Sequence, residues 1–424
     1  MRIRRSTATV TVVALALVVT GCSSGASAGG GESGSTQIEY WSFTGIDAKA
    51  KVAEFEEANP EFDVKLTEVG SSAETAQAVT AAIASGKVPD LVLIQDDDLA
   101  KLTANPGNFI DLNTLGAEDI EGDYFDWTWS AATSVDGAQL GVPTDTGGLA
   151  YAYRTDLFAA AGLPTDPAEV AALWPTWDDF LAVAEDYTDK TGKPFIDSAA
   201  NSVFRATVNQ VTEQYYDDKG ELVYDTNPQV EEAYDLAIDA ASSGVSAKLG
   251  AFSEGWSAGI ADGAFAVMVA PSWMLGVIKS NDPEGAGNWA VTTVPGVGGN
   301  WGGSHLLIPK GAKNPEAAWE FIKANQSPEA QLQLFLDHGN FPAAIEAVDS
   351  PELVDATDPF FSDVATGAVL GQSVAALKPF PIGPETGAIG GEFSNAITRV
   401  DVEGADPATS WDDALSSIKL AIGG

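Results

Sequence analysis

The chain has 424 residues, of which 61 are Asp or Glu and 21 are Lys or Arg, for a net charge of −40 at pH 7. That charge excludes nucleic acid as a partner, because a phosphate backbone requires a basic face. An apolar content of 45% can supply large buried cores, and a single cysteine allows no internal disulfide, so stability must rest on core burial.

Arg2, Arg4 and Arg5 form a basic head, residues 8–19 an apolar middle, and Val19-Thr20-Gly21-Cys22 a small-residue site. Residues 1–21 therefore read as an export signal, too short to span a membrane as a mature helix. Losing three arginines with the signal takes the charge to about −43. The site resembles the lipobox of bacterial lipoproteins, with Thr20 where Ala or Ser is commoner. That resemblance implies that Cys22 becomes a lipid-modified N-terminus. Residues 22–36 are almost all Ser, Gly and Ala, a flexible tether, so folding is expected to begin near Gln37.

Strands and helices then alternate. Residues 38–43 form a strand, and Asp47 caps a helix to Ala58 whose Ala48, Val52 and Phe55 share a face. Phe62, Val64 and Leu66 alternate as a strand; residues 74–85 make an alanine-rich helix ended by Gly86, and residues 90–94 a buried strand. Such a β-α-β-α-β run predicts a parallel sheet with right-handed crossovers. Asp96, Asp97 and Asp98 follow the strand. The last two fit a solvated first helical turn, whereas Asp96, placed just beyond a strand's carboxyl end, is a candidate acceptor for ligand hydroxyls.

Two strand-like pieces, 140–143 and 149–153, flank a Thr-Asp-Thr-Gly-Gly linker with the composition of a hinge between domains. Asp145 within it makes either an Asx turn or a hydroxyl-binding carboxylate at a cleft floor. Farther on, Thr176 caps a helix carrying Phe180, Val183, Ala184 and Tyr187; Asn201 opens another, and Pro228 starts a third. The uncharged run 264–270 predicts a buried strand. Pro271 should stop it, with Ser272 capping a helix that begins near Trp273. Trp273 then stands beyond a strand's carboxyl end, where open α/β sheets bind ligands. Residues 288–294 form a strand, Trp301 lies in a glycine-rich crossing back to the first domain, and helices follow to the last at residues 410–422.

Several segments together resemble the extracellular solute-binding proteins of ABC importers, in the sugar-binding family that includes maltose-binding protein. They are Tyr40-Trp41, Gly86-Lys-Val-Pro-Asp-Leu-Val-Leu, Gly141-Val-Pro-Thr-Asp with Tyr153-Arg-Thr-Asp-Leu-Phe158, Gly263-Ala-Phe-Ala-Val-Met, and Ile308-Pro-Lys-Gly with Asn314-Pro-Glu-Ala-Ala-Trp-Glu-Phe321. Ala161-Gly-Leu-Pro-Thr-Asp166, Phe195-Ile-Asp-Ser-Ala199 and Val208-Asn-Gln210 look like the actinobacterial binders of cellobiose and cello-oligosaccharides.

The resemblance implies an α/β, two-lobed, type II periplasmic-binding-protein-like fold with hinge crossings. Residues 37–142 and 304–340 would form lobe one, and residues 143–303 and 341–424 lobe two. It further implies a monomer that closes on an oligosaccharide, delivers it to permease subunits, touches the membrane through its lipid anchor alone, and needs neither metal nor cofactor nor catalytic residue. Sugar rings ask for flat aromatic platforms and polar rims. The expected contacts are Phe43, Thr44, Asp96, Asp145, Asn201, Trp273 and Trp301, while Trp41, Trp319 and Trp411 are expected to be structural. The rival readings are a secreted glycoside hydrolase with paired carboxylates and a binder of another sugar such as xylobiose. His305 and His338 are the only histidines and no cysteine accompanies them, so zinc or Ser-His chemistry has little to stand on.

Overall fold

A computed structural model describes residues 35–44, 46 and 48–423. Cys22 and the Asp47 cap lie outside the described residues. Strand β1 (Thr36–Ser42) pairs in parallel with β2 (Phe62–Glu68) and β3 (Leu91–Gln95), with helices α1 (Ala48–Ala58) and α2 (Ser72–Ser85) as the crossovers. Thr36, assigned to the tether from its composition, already pairs with Phe62. Ser71 and Glu74 cap α2 reciprocally, and Gly86 closes it at φ 67° in the left-handed region, which a residue without Cβ adopts cheaply.

Successive strand residues face opposite sides, so β3 divides its side chains between two cores. Leu91 and Leu93 join Ile38, Phe55 and Phe321 on one face, and Val92 and Ile94 join Val79, Leu140 and Leu307 on the other. Being covered on both sides explains why this strand reads as an unbroken apolar run.

Strand β4 (Gly141–Arg154) runs through the stretch expected to be a linker. The Thr-Asp-Thr-Gly-Gly stretch is not a linker between two pieces but the middle of one 14-residue strand. Its first half pairs antiparallel with β7 (Asn300–Leu307); its second half pairs with β5 (Val267–Pro271) and β6 (Trp289–Thr293). The β4–β7 register shifts between Pro143 and Asp145 and again between Thr146 and Gly148, irregularities that bend and twist a strand without ending it. The close approach demands glycine here: a Cβ at Gly147 would stand 1.8 Å from the Trp301 carbonyl oxygen. Beyond Gly148 the strand enters a third core, where Tyr151, Tyr153, Phe158, Trp174, Phe180 and Phe195 are all buried. Ala343, Ala344 and Ala347 pack in the Ile38 core.

Other local expectations shift for identifiable reasons. Ser272 does not cap the helix Met274–Asn281; it is fully buried, its hydroxyl donates to the Thr146 carbonyl at 2.9 Å, and Trp273 occupies the cap position without a side-chain bond. Asn201 does not open a helix, because it lies inside a π-helical turn, Ala200–Arg205. Trp301 belongs to β7 rather than to a loop. The last helix begins at Pro407, three residues early, since Asp406 accepts from the Ala408 amide and caps it. Trp319 is buried as expected, and Trp411 packs on Tyr234 and Phe393, whereas Trp41 is only half-buried.

Candidate functional site

At the carboxyl end of β3, Gln95 occupies the cap position of helix α3 (Asp96–Thr103) without a side-chain bond, and the first residue of the helix is Asp96. One Asp96 carboxylate oxygen lies 2.8 Å from His305 Nδ1, and His305 Nε2 lies 2.9 Å from the Thr128 carbonyl. Both ring nitrogens thus face acceptors, an arrangement that only the protonated imidazolium satisfies at both. Burial alone would lower the His305 pKa, but the Asp96 charge and hydrogen bond, the Thr128 carbonyl and the Asp145 charge together raise it above its ordinary value. Gly303 makes room for this pair, since a Cβ there would stand 2.5 Å from Asp96 Oδ2.

Asp145 faces Ser304 across the β4–β7 ladder. Burial pushes its pKa to about 6, against the hydroxyl of Thr144, which donates to it at 2.7 Å. It lines a cavity of about 70 Å³ with Tyr40 and Asn340.

Two larger cavities meet at Asp96, Asn300, Phe380 and Ile382, which line both. The inner one, about 140 Å³, is also walled by Asp97, Arg205, Tyr215 and Trp301. The outer one, about 620 Å³, extends past Trp127 and the proline-rich stretch 377–384. Arg205 ends the π-helical turn, and its guanidinium lies 4.3 Å from the centre of the Trp301 ring, close enough for cation–π attraction. Trp273 meets Trp301 edge-on, ring centres 5.1 Å apart at 76°, and its Nε1 donates to the Trp301 carbonyl at 3.1 Å. Asn300 spends its side chain on the backbone, accepting from the Gly147 amide and donating to the Gly302 carbonyl. Desolvation lifts the Asp97 pKa against the pull of Arg205, with the Asp96 charge lifting it further, although more than a third of the residue remains open to solvent.

The helix Thr386–Glu403 gives the inner cavity its remaining wall through Gly387, Gly390 and Gly391. These share one helical face, and a side chain there would narrow the space.

Of the residues expected from sequence, the structure brings Asp96 and Trp301 together at one cavity, with Trp273 one layer behind. Asp145 turns to the smaller neighbouring cavity. Asn201 is buried and donates from Nδ2 to the Asp197 carboxylate at 2.6 Å, inside the third core. Phe43 packs on the first core, and Thr44 bonds to the Gly70 carbonyl; neither lines these cavities. Sequence reasoning missed Arg205, Asn300, Trp127 and Phe380. Arg205 alone carried a signal, being a rare cation in a chain this acidic. Among the described residues, no group of His, Cys, Asp and Glu has the arrangement of a metal site, and no helix is long and apolar enough to cross a membrane.

The chain is similar over most of its length to known binding proteins. An arabinooligosaccharide-binding protein of Bacillus subtilis is 27% identical over 366 residues, 81% of each chain. A lactose-binding protein of Rhizobium radiobacter is 26% identical over 69% of this chain and 70% of its own. A crystal structure of a family 1 extracellular solute-binding protein superposes with a TM-score of 0.82 at 32% identity, covering 91% of this chain and 99% of that one. The ABC transporter-associated binding protein of B. animalis subsp. lactis, solved with β-1,6-galactobiose, shares the fold at a TM-score of 0.76 and 22% identity, over 91% and 98% of the two chains. The structural neighbours are two-lobed, mixed α/β binding proteins. The description "bacterial extracellular solute-binding protein" matches residues 50–360, and the chain belongs to that family.

Proposed function

We propose that this protein is the ligand-capturing component of a sugar ABC importer, holding an oligosaccharide between two lobes and passing it unaltered to permease subunits. The observation that carries the reading is the cavity wall itself. The largely buried Trp301 ring lies in that wall beneath the Arg205 guanidinium, and Asp96, Asp97 and Arg205 stand at the same cavity with charged hydrogen-bonding groups. That combination suits a pyranose, which has apolar C–H faces and a hydroxyl rim. The names of the two curated relatives, binders of arabino-oligosaccharide and of lactose, support the same ligand class.

Cellobiose or a cello-oligosaccharide is our first choice of ligand, on the sequence resemblances at residues 161–166, 195–199 and 208–210. Xylobiose and arabino-oligosaccharides are the alternatives. In this account lobe one holds residues 37–142 with 304–347 and lobe two holds residues 143–303 with 348–424, the second crossing moved from the expected 340 to past Ala347 because that residue packs in the first core. Asp96, Asp97, Arg205 and Trp301 contact the sugar; Trp273 and Asn300 set the Trp301 strand in place. The monomeric chain hangs from the outer face of the cell membrane by a lipid on Cys22. Asp96 and Asp145 are engaged with His305, Thr144 and Asn340, which favours capture over hydrolysis by paired carboxylates. Tryptophan fluorescence titrated with cellobiose, xylobiose, arabinobiose, maltose and lactose tests the proposal. A saturable change with at least one sugar is expected, and silence with all of them would sink it.

A further inference from the structure

The cleft contains more room than its inner cavity uses, and the surplus has its own chemistry. At about 140 Å³ the inner cavity falls below the roughly 300–1,000 Å³ typical of small-molecule sites, whereas the outer cavity, about 620 Å³, falls within that range. The two are adjacent, because Asp96, Asn300, Phe380 and Ile382 wall both. A ligand in the inner cavity therefore has to pass only these four residues to reach the outer one.

Two aromatic rings line the outer cavity, Trp127 and Phe380. Trp127 comes from the short helix Asp126–Ser130 and is half-buried, stacked on Phe125 with ring centres 6.5 Å apart. Phe380 comes from the strap Lys378-Pro-Phe-Pro-Ile-Gly-Pro384, in which three prolines fix the backbone torsion φ. The strap is also tied at its far end. The Gly383 amide donates to Thr386 Oγ1 at 3.0 Å, the Glu385 amide donates to the Tyr216 hydroxyl at 3.1 Å, and Gly383 lies against the Tyr216 ring so closely that a Cβ would meet it at 2.2 Å. Phe380 is thus held out on an anchored segment at little entropic loss on binding. Ser130, Thr133 and Asp136 line the same cavity and can serve a hydroxyl rim.

We propose that the outer cavity is a second sugar-ring site built by Trp127 and Phe380, so that the preferred ligand is a trisaccharide or longer rather than a disaccharide. The inference rests on the oligosaccharide reading above and assigns its chain length.

The test compares dissociation constants along a ladder of two, three and four rings in the cello, xylo, arabino and malto series, using the full chain and its variants. In at least one series the third ring should tighten binding by about tenfold, the scale of one aromatic stacking contact. In Trp127→Ala and Phe380→Ala the ratio between trisaccharide and disaccharide should fall towards unity. Ala104→Trp, which adds a ring to the exposed end of α3 beside this cavity, should also collapse the ratio by filling the space. A role in folding alone would weaken every length equally and keep the ratio, which overturns the proposal. Equal affinity of the unaltered protein for two and three rings overturns it as well, while leaving the capture reading intact. Failure to bind any sugar of any length overturns both.

Discussion

Asp197 has no surface exposed, yet its carboxylate collects four donors: Ser202 Oγ, Asn201 Nδ2, Trp256 Nε1 and the Ser198 amide. No cation is among them. Desolvation therefore outweighs the hydrogen bonds and pushes its pKa from 3.8 to about 6. The folded form binds this proton more tightly than the unfolded chain. The resulting stabilisation is complete below about pH 4 and is lost as pH rises towards 6, on the order of 3 kcal/mol in total. Unfolding free energies of the native protein and of Asp197→Asn, measured between pH 4 and 7, should diverge accordingly, the native protein losing ground to the variant as pH rises. A difference independent of pH would contradict this. The same residue ties down the π-helical turn that ends in Arg205, so the buried network has a consequence at the cleft. At the site, Trp301 forms the wall and Trp273 supports it edge-on. We expect Trp301→Ala to weaken sugar binding by about 1–3 kcal/mol and Trp273→Ala by less, both read by calorimetry; the reverse order would show that Trp273 is the platform.

Among the elements, β4 links the first core, through Val142, to the third, through Leu149 to Tyr153. One strand runs from the ladder with β7 into the ladders with β5 and β6, and its irregular stretch, residues 143–148, lies where Trp301, Asn300 and His305 approach. Gly147→Ala puts a Cβ against backbone with no flexible neighbour to yield. Such overpacking should destabilise the chain by about 1–3 kcal/mol, seen as a lower denaturation midpoint, and an unchanged midpoint would show that β4 and β7 separate freely. How legible such elements were depended on periodicity. The strands of the first sheet and the capped helices announce themselves through alternation, 3.6-residue spacing and Ser, Asp or Gly at the ends. The middle of β4 does not, since Thr-Asp-Thr-Gly-Gly has turn composition and becomes a strand only because β7 pairs with it. The π-helical turn was hidden for a similar reason: Asp197, Ser198, Asn201 and Ser202 look like surface polar residues and are buried only because they satisfy one another. Asp96 was legible from its place after a strand, and Trp301 from its glycine neighbours, although its strand was not. Trp127 and Phe380 were not legible, because tertiary approach alone brings them to the cleft, and Arg205 showed only as a rare cation in an acidic chain.

At the scale of the molecule, sheet strands such as β3 bury both faces and helices one stripe in the separate cores, and beside them lies a cleft lined by aromatic and charged groups. An acidic chain with net charge −40 repels other anions at long range, which suits a neutral ligand recognised by short-range stacking and hydrogen bonds. The central claim is that this cleft captures an oligosaccharide and leaves it whole. Isothermal titration with the sugar ladders, followed by chromatography of the recovered ligand, tests that claim most directly. We predict saturable heat at about one sugar per chain with every recovered chain intact; shorter products, or no heat with any sugar, would contradict it.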